Sequence, residues 1–495
     1  MTDVTARPSF VATRRGKLIL ALLCSVAFLD FVDASIVNIA LPDIRKDLDF
    51  SVQGLQWVPS GYLLTYGGFM LLGGRVADLL GRRRVLVAGT AVVGLSSLIG
   101  GFAGDAGVLV AARLAQGLGA AMMLPAALSI LTTTFEEGPD RHTALGVWGG
   151  MGGLASAVGV FLGGVLTEGP GWRWVMFVNP LACALVGPAV LRLIPDDRRP
   201  ARLANFDLLG SVLVTGGMLL LVFALVKAPD HGWGDARTIT ELAGVVVLLG
   251  AFLLNEARNR NPLMPLSIFR VKGLAAANVT GLIGFAGMLA MFFFLTLYMQ
   301  NVLGYSPIQT GASYLPLTLG VGISAGISSQ LIAKVGTRPL MVVGALVSSA
   351  GLYHLSRIPV DGSYLGDLLP GLMIVSLGLG AVFVGVTTAG NAGVPADKAG
   401  LAAALLNSAQ QVGGALGLAV FSAIATSRTN HLVASHSSAP AALTSGFHRA
   451  LLAGSFFLIA AAIIATRTSD TKGEAGQAPT GDLLPADSRD EEVRA

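Results

Sequence analysis

Asp30 and Asp33 sit three residues apart inside the apolar stretch Leu18 to Ala40, and Arg113 lies inside a second apolar stretch, Val108 to Leu131. An ionised group at the centre of a hydrocarbon layer costs about 2.5–3.5 kcal/mol or more, so such residues need partners or a job. At about 100° per residue the two aspartates fall on one side of a helix, with Asn38 on the adjoining side, which gives the helix a polar face that must line a cavity. Desolvation and a like-charged neighbour both favour the protonated carboxyl, so at least one of the pair is expected to take up and release a proton near neutral pH. A guanidinium cannot lose its proton, so Arg113 needs one of these carboxylates as its partner, and Gln116 lies one turn away on the same face.

The elements that hold these groups are membrane helices. The chain is 53% hydrophobic and 13% charged with mean hydropathy +0.70, far from the roughly 25% charged residues of a soluble protein. Apolar spans recur about fourteen times. Six of them fill residues 18–194, two more lie in 195–273, and another six fill 274–466. Residues 1–17 form a short cytoplasmic N-terminus, and 467–495, rich in Asp, Glu, Gly, Pro and Ser, have too little apolar surface to fold and read as a disordered tail. The fold class expected is therefore an all-α membrane protein of two six-helix bundles with two inserted helices. The basic residues gather in alternate loops and before the first span, which places both termini in the cytoplasm and explains the formal charge of +4 as topology, with no nucleic-acid partner implied. Cys24 and Cys183 both fall within spans and read as small core residues, outside any disulfide or metal framework.

The two blocks echo each other. Gly81 to Gly89 (GRRRVLVAG) is matched by Gly336 to Gly344 (GTRPLMVVG), with glycine, arginine and glycine at constant spacing, and Asp140-Arg141 is answered by Asp397-Lys398 at nearly the same offset. Parallel repeats of six helices around a midplane site describe a transporter that rocks between two open states.

Several segments also resemble a known family, the fourteen-helix drug:proton antiporters of the major facilitator superfamily, from about Lys17 to Ala465. Asp33 to Pro42 (DASIVNIALP) is similar to the acidic first-helix signature of that family. Gly74 to Arg84 (GRVADLLGRRR) resembles the superfamily's loop signature, and Arg113 to Gly119 (RLAQGLG) its fourth-helix signature. Gly159 to Gly164 (GVFLGG) resembles the antiporter signature, with Val160 where proline is expected. Trp172 to Pro180 and Phe293 to Gln300 look like further stretches of this branch. The resemblance implies proton coupling at Asp33, with Arg113 holding the carboxylate ionised until substrate or proton rearranges the pair. Asp30 is an additional acid, and either a coupling role or a local helix-stabilising role stands open for it. The resemblance further implies gating and helix packing by Gly74, Asp78, Gly81, Arg82, Arg83, Gly159, Gly163 and Gly164. Asp78 is spaced to bridge to Arg82; the second-half loop has no matching acid and neither has the first helix of that half, Leu274 to Tyr298, so proton handling is expected in the first half. Candidate cavity residues are Asn38, Gln116, Tyr298, Gln410 and Gln411. Phe292, Phe293 and Phe294 point three ways around one helix and are expected mostly against lipid or neighbouring helices.

Enzyme classes are poorly supported: there is no G-x-x-x-x-G-K-[ST] phosphate loop and no H-E-x-x-H, and the six histidines are scattered. No cofactor is implied, so the driving force must be an ion gradient. The function expected is proton-coupled antiport that exports drugs, antibiotics or other amphipathic organic compounds across a bacterial cytoplasmic membrane. The partners are a small-molecule substrate, protons and membrane lipids, and a monomer suffices. Export of an endogenous metabolite is the nearest rival, and a transporter-like sensor signalling through the tail is a more distant one.

Overall fold

A computed structural model describes residues 10–135, 139–196, 207–259, 262–394 and 399–471. Among these residues the chain forms fourteen long helices. In the first block they are α1 (Arg14–Asp47), α2 (Trp57–Leu80), α3 (Arg82–Gly101), α4 (Ala106–Thr134), α5 (Pro139–Glu168) and α6 (Arg173–Leu193). The intervening pair is α7 (Leu208–His231) and α8 (Ala236–Arg258). The second block holds α9 (Leu274–Asn301), α10 (Pro307–Val335), α11 (Thr337–Leu355), α12 (Leu369–Asn391), α13 (Ala399–Ala434) and α14 (Ala439–Ala465). Eleven of the helices in the described residues are long and apolar enough to cross a membrane. Several overrun their apolar stretch. α1 starts four residues before Leu18, where the Thr13 side chain caps the helix by accepting the Gly16 N–H at 3.0 Å. The tail expected to be disordered lies almost wholly outside the described residues.

The repeat seen in the sequence is a repeat of packing. In the first block α2 packs on α4, α3 on α4, α1 on α5 and α3 on α6; moving each label on by eight gives α10 on α12, α11 on α12, α9 on α13 and α11 on α14, all of which are observed. The two bundles meet along α5–α10 and α2–α13, and the same offset exchanges one seam for the other, the relation expected of a pseudo-two-fold axis. Gly81 and Gly336 close the matching turns with φ of 99° and 88°, a left-handed backbone that favours glycine, and this explains their equivalent places in the repeat. Of the sequence echo, Asp397-Lys398 lies outside the described residues.

The inserted pair leans on the α2–α13 seam through α7, where Thr215 Oγ1 donates to Gly68 O at 3.1 Å, while α8 packs on α7. Asp207 caps α7 by accepting the Gly210 N–H at 2.8 Å and takes the Asn255 amide of α8 at 2.8 Å. Burial pushes its carboxyl up, but these hydrogen bonds outweigh burial and hold it below the ordinary value. Large apolar side chains such as Leu185 (76% exposed) and Val246 (72% exposed) stand on the outside of the helices, where lipid and not water is the compatible neighbour.

Candidate functional site

Five helices of the first bundle converge on the two aspartates. From α1, Asp33 and Asp30 are 3% and 4% exposed, and Arg113 of α4 is 1% exposed. Arg113 Nη1 donates to Asp33 Oδ2 at 2.7 Å and to Gln116 Oε1 at 2.8 Å, and its Nε donates to Val58 O of α2 at 3.0 Å. The second oxygen of Asp33 accepts from Gln116 Nε2 at 3.3 Å and, very closely, from Asn179 Nδ2 of α6; Gln116 Nε2 also contacts Ser97 Oγ of α3. One carboxylate thus takes donors from two other helices and forms a charge-compensated pair with a guanidinium, which is the condition under which ions survive burial.

Asp30 is held differently. Tyr62 donates its hydroxyl to Asp30 Oδ1 at 2.7 Å and Tyr66, one turn along α2, donates to Oδ2 at 3.0 Å. Both partners are neutral. Tyr62 also touches the ion pair, because the Arg113 guanidinium carbon lies 4.4 Å from the centre of its ring, in cation–π range. Tyr62 is therefore a shared partner of Asp30 and Arg113. Between the two carboxyls, beside Tyr62, Asn179 and Cys183, is a cavity of about 10 Å³. That is close to the smallest space that accommodates a water.

Other sequence candidates fall elsewhere. Asn38 is buried on α1; its amide donates back to Ala34 O at 3.0 Å, and its Oδ1 has no hydrogen-bond partner among the described residues. Gln411 of α13 lies beside the Tyr66 phenol across the seam, with Oε1 equally unpartnered. Gln410 turns instead toward α9, at 3.5 Å from where a Cβ on Gly281 would stand. Tyr298 is not brought to the acids at all: its hydroxyl donates to Pro359 O and ties α9 to the α11–α12 connection. Phe293 and Phe294 are buried, Phe294 against Phe447 at 5.7 Å, and Phe292 lies against Tyr314 at 4.8 Å, so these rings meet neighbouring helices.

The glycines of α5 have distinct neighbours. A Cβ on Gly163 would come 2.7 Å from Ile36 O and one on Gly159 2.9 Å from Ser35 Cβ, so both let α5 lie against α1. Gly164 faces the other bundle, where a Cβ would stand 2.7 Å from Pro307 O, and Val160 O is equally near the Cβ position of Gly311. In the α2 stretch the close approach is made by Gly73, whose Cβ would sit 2.0 Å from Ala121 O, while Gly74 has only an ordinary 3.7 Å contact with Pro125. Arg83 donates to Leu191 O, and Arg82 is half-buried at the same helix start. The side chain of Asp78, and with it the expected bridge to Arg82, lies outside the described residues.

Tyr62, Tyr66, Ser97 and Asn179 join the site without a motif that marks them in the sequence. The available signals were two tyrosines four apart in mid-span and an asparagine preceding Pro180 inside an apolar helix.

The family model described as Major Facilitator Superfamily matches residues 23–418. The chain belongs to this superfamily. It is 40% identical over 467 residues to the puromycin resistance protein pur8 of Streptomyces alboniger, with 92% of each chain covered. It is 38% identical to the cephamycin export protein CmcT of Amycolatopsis lactamdurans, with 93% of each covered. Among solved structures, an inward-facing bacterial homologue of the lysosomal transporter Spinster superposes with a TM-score of 0.63 at 16% identity, covering 92% of this chain and 97% of that one, a likeness of fold. A superfamily member is a multi-pass transporter of small molecules, in keeping with the two-bundle repeat.

Proposed function

We propose that this chain exports an antibiotic or another amphipathic organic compound in exchange for protons, and that Asp33 with Arg113 carries the exchange. The observation that supports this most directly is the buried, charge-compensated pair that joins α1 to α4. A proton arriving on Asp33 cancels its charge and removes its hold on Arg113, which keeps Gln116 and the Val58 carbonyl as acceptors; α1 is then free to shift against α4. Asp30 communicates with the same event through Tyr62. The resistance and export roles in the names of pur8 and CmcT favour toxic organic cargo over an ion or a sugar.

In this reading all fourteen long helices cross the cytoplasmic membrane, both termini are cytoplasmic and one chain suffices. The bundles touch toward the end at which α1 finishes: Gln300 Nε2 of α9 donates to Ile39 O at 2.9 Å, and the Ile308 N–H of α10 donates to Glu168 of α5 at 3.1 Å. In that orientation this end is the external one, and cargo would enter from the cytoplasmic side. One proton descending 100 mV supplies about 2.3 kcal/mol. At about 1.4 kcal/mol per tenfold, that sustains a gradient of roughly 50-fold for a neutral solute.

The test is drug accumulation in inverted vesicles with an imposed pH gradient. Wild-type protein should accumulate drug and Asp33→Asn should not; full proton-driven uptake by Asp33→Asn would refute the assignment of Asp33.

A further inference from the structure

Away from the acids, a cleft of about 420 Å³ opens between α13, α14 and the turn that joins α7 to α8. Its α13 wall is a single stripe at helical spacing that changes character along its length. Val420, Ala423 and Ile424 make an apolar floor, and Arg428 and His431 follow toward the end at which α13 finishes. From Val420 to His431 is about 16 Å at 1.5 Å per residue. Arg449 of α14 supplies a second guanidinium; the bond from Arg428 Nε to Ser445 Oγ, 3.1 Å, sets the register of the two helices and puts Arg449 one turn below Ser445. Trp233, 57% exposed on the inter-helix turn, closes the third side.

Two guanidiniums and an imidazole converge there, and among the described residues no carboxylate lines the cleft. Arg449 is exposed and forms no ion pair with a described residue. The stripe passes from apolar to cationic over the depth in which a bilayer passes from hydrocarbon to headgroup, and tryptophan is the residue favoured at that boundary. Arginine is the side chain best matched to a phosphate through paired N–H donors.

We propose that this cleft binds an anionic phospholipid. The headgroup phosphate lies between Arg449 and Arg428, the first carbons of an acyl chain lie on Val420 and Ile424, and Trp233 covers the glycerol region. The inserted pair α7–α8 thereby gains a role, as one wall of a lipid site on the second bundle.

The experiment uses the purified full chain in detergent micelles, titrated with brominated phosphatidylglycerol or brominated phosphatidylcholine. The Trp233 signal is isolated by subtracting the Trp233→Phe variant. Phosphatidylglycerol should quench that signal saturably with at least about tenfold higher affinity than phosphatidylcholine. Arg449→Gln should lose about tenfold in affinity, and Arg449→Lys, which keeps the charge without the paired donors, should lose less. Equal quenching by the two lipids, or an unchanged Arg449→Gln, would overturn the proposal. So would displacement of the lipid by soluble glycerol phosphate at equal concentration, since the apolar floor would then contribute nothing.

Discussion

The Asp33–Arg113 pair makes a quantitative prediction through a double-mutant cycle. Arg113→Met keeps an unbranched side chain but leaves the Asp33 carboxylate with only Gln116 and Asn179 as donors. Asp33→Asn leaves a guanidinium whose remaining acceptors, Gln116 Oε1 at 2.8 Å and Val58 O at 3.0 Å, are neutral, beside the Tyr62 ring at 4.4 Å. Breaking a buried pair by removing one partner costs about 3–5 kcal/mol, because an uncompensated charge stays behind. If the two sites were independent, the double variant would lose about 6–10 kcal/mol, the sum of two such costs. The pairing instead predicts that Asp33→Asn/Arg113→Met, which buries no net charge there, returns to within about 2 kcal/mol of wild type, since neutral replacement of a buried pair is often close to harmless. The chain carries its own reporter, because Cys24 and Cys183 are free and buried and become reactive to a maleimide dye as the bundle opens. Thermal unfolding in detergent should rank the double variant above both single variants. In inverted vesicles all three should fail to couple drug uptake to the proton gradient, which separates stability from function. A double variant as unstable as the sum of the singles would show that compensation of charge is not what holds Asp33 in place.

Two further outcomes follow from the geometry. Tyr66→Phe removes one of the two hydroxyls on Asp30 and the group beside Gln411, and should cost about 1–3 kcal/mol, the range for a buried hydrogen bond to a neutral or charged acceptor; a melting curve identical to wild type would refute the contact. Glu168 bridges the bundles by accepting from Ser306 and the Ile308 N–H at the start of α10, and these bonds hold its carboxyl below the ordinary value of 4.5. A carboxyl lowered in the joined state supports joining above its ordinary value and loses that support as pH falls through the lowered one. The distance between spin labels placed on α5 and α10 should therefore lengthen only as the pH drops below about 4.5, and in Glu168→Gln it should be longer at neutral pH and indifferent to that change; a Glu168→Gln profile matching wild type would exclude the bridge.

Much of this molecule is legible in one dimension because its constraints are local. A bilayer demands runs of apolar residues, so helix positions follow from hydropathy, and glycines at left-handed turns such as Gly81 and Gly336 betray the repeat because few other residues fit there. That Arg113 meets one of the two aspartates could also be inferred, since a permanent charge in a membrane must find an opposite one; the resemblance pointed to Asp33, and the packing pairs Arg113 with it. The remainder depended on how helices turn against each other. Nothing local distinguishes the Tyr62 and Tyr66 phenols from core aromatics. Only the packing of α2 against α1 aims both at Asp30, and only that of α6 brings Asn179 to Asp33. Gly73 and Gly74 are equivalent in the sequence, yet the rotation of α2 on α4 presses Gly73 onto Ala121 and leaves Gly74 with ordinary contact. By the same rule Tyr298, a cavity candidate by type, is turned to Pro359. Sequence alone determined the membrane helices, the two-fold repeat and the charges that had to meet. Tertiary structure decided which neutral groups surround them, because the direction of a side chain is set by the rotation of its helix within the bundle and not by the order of residues along it.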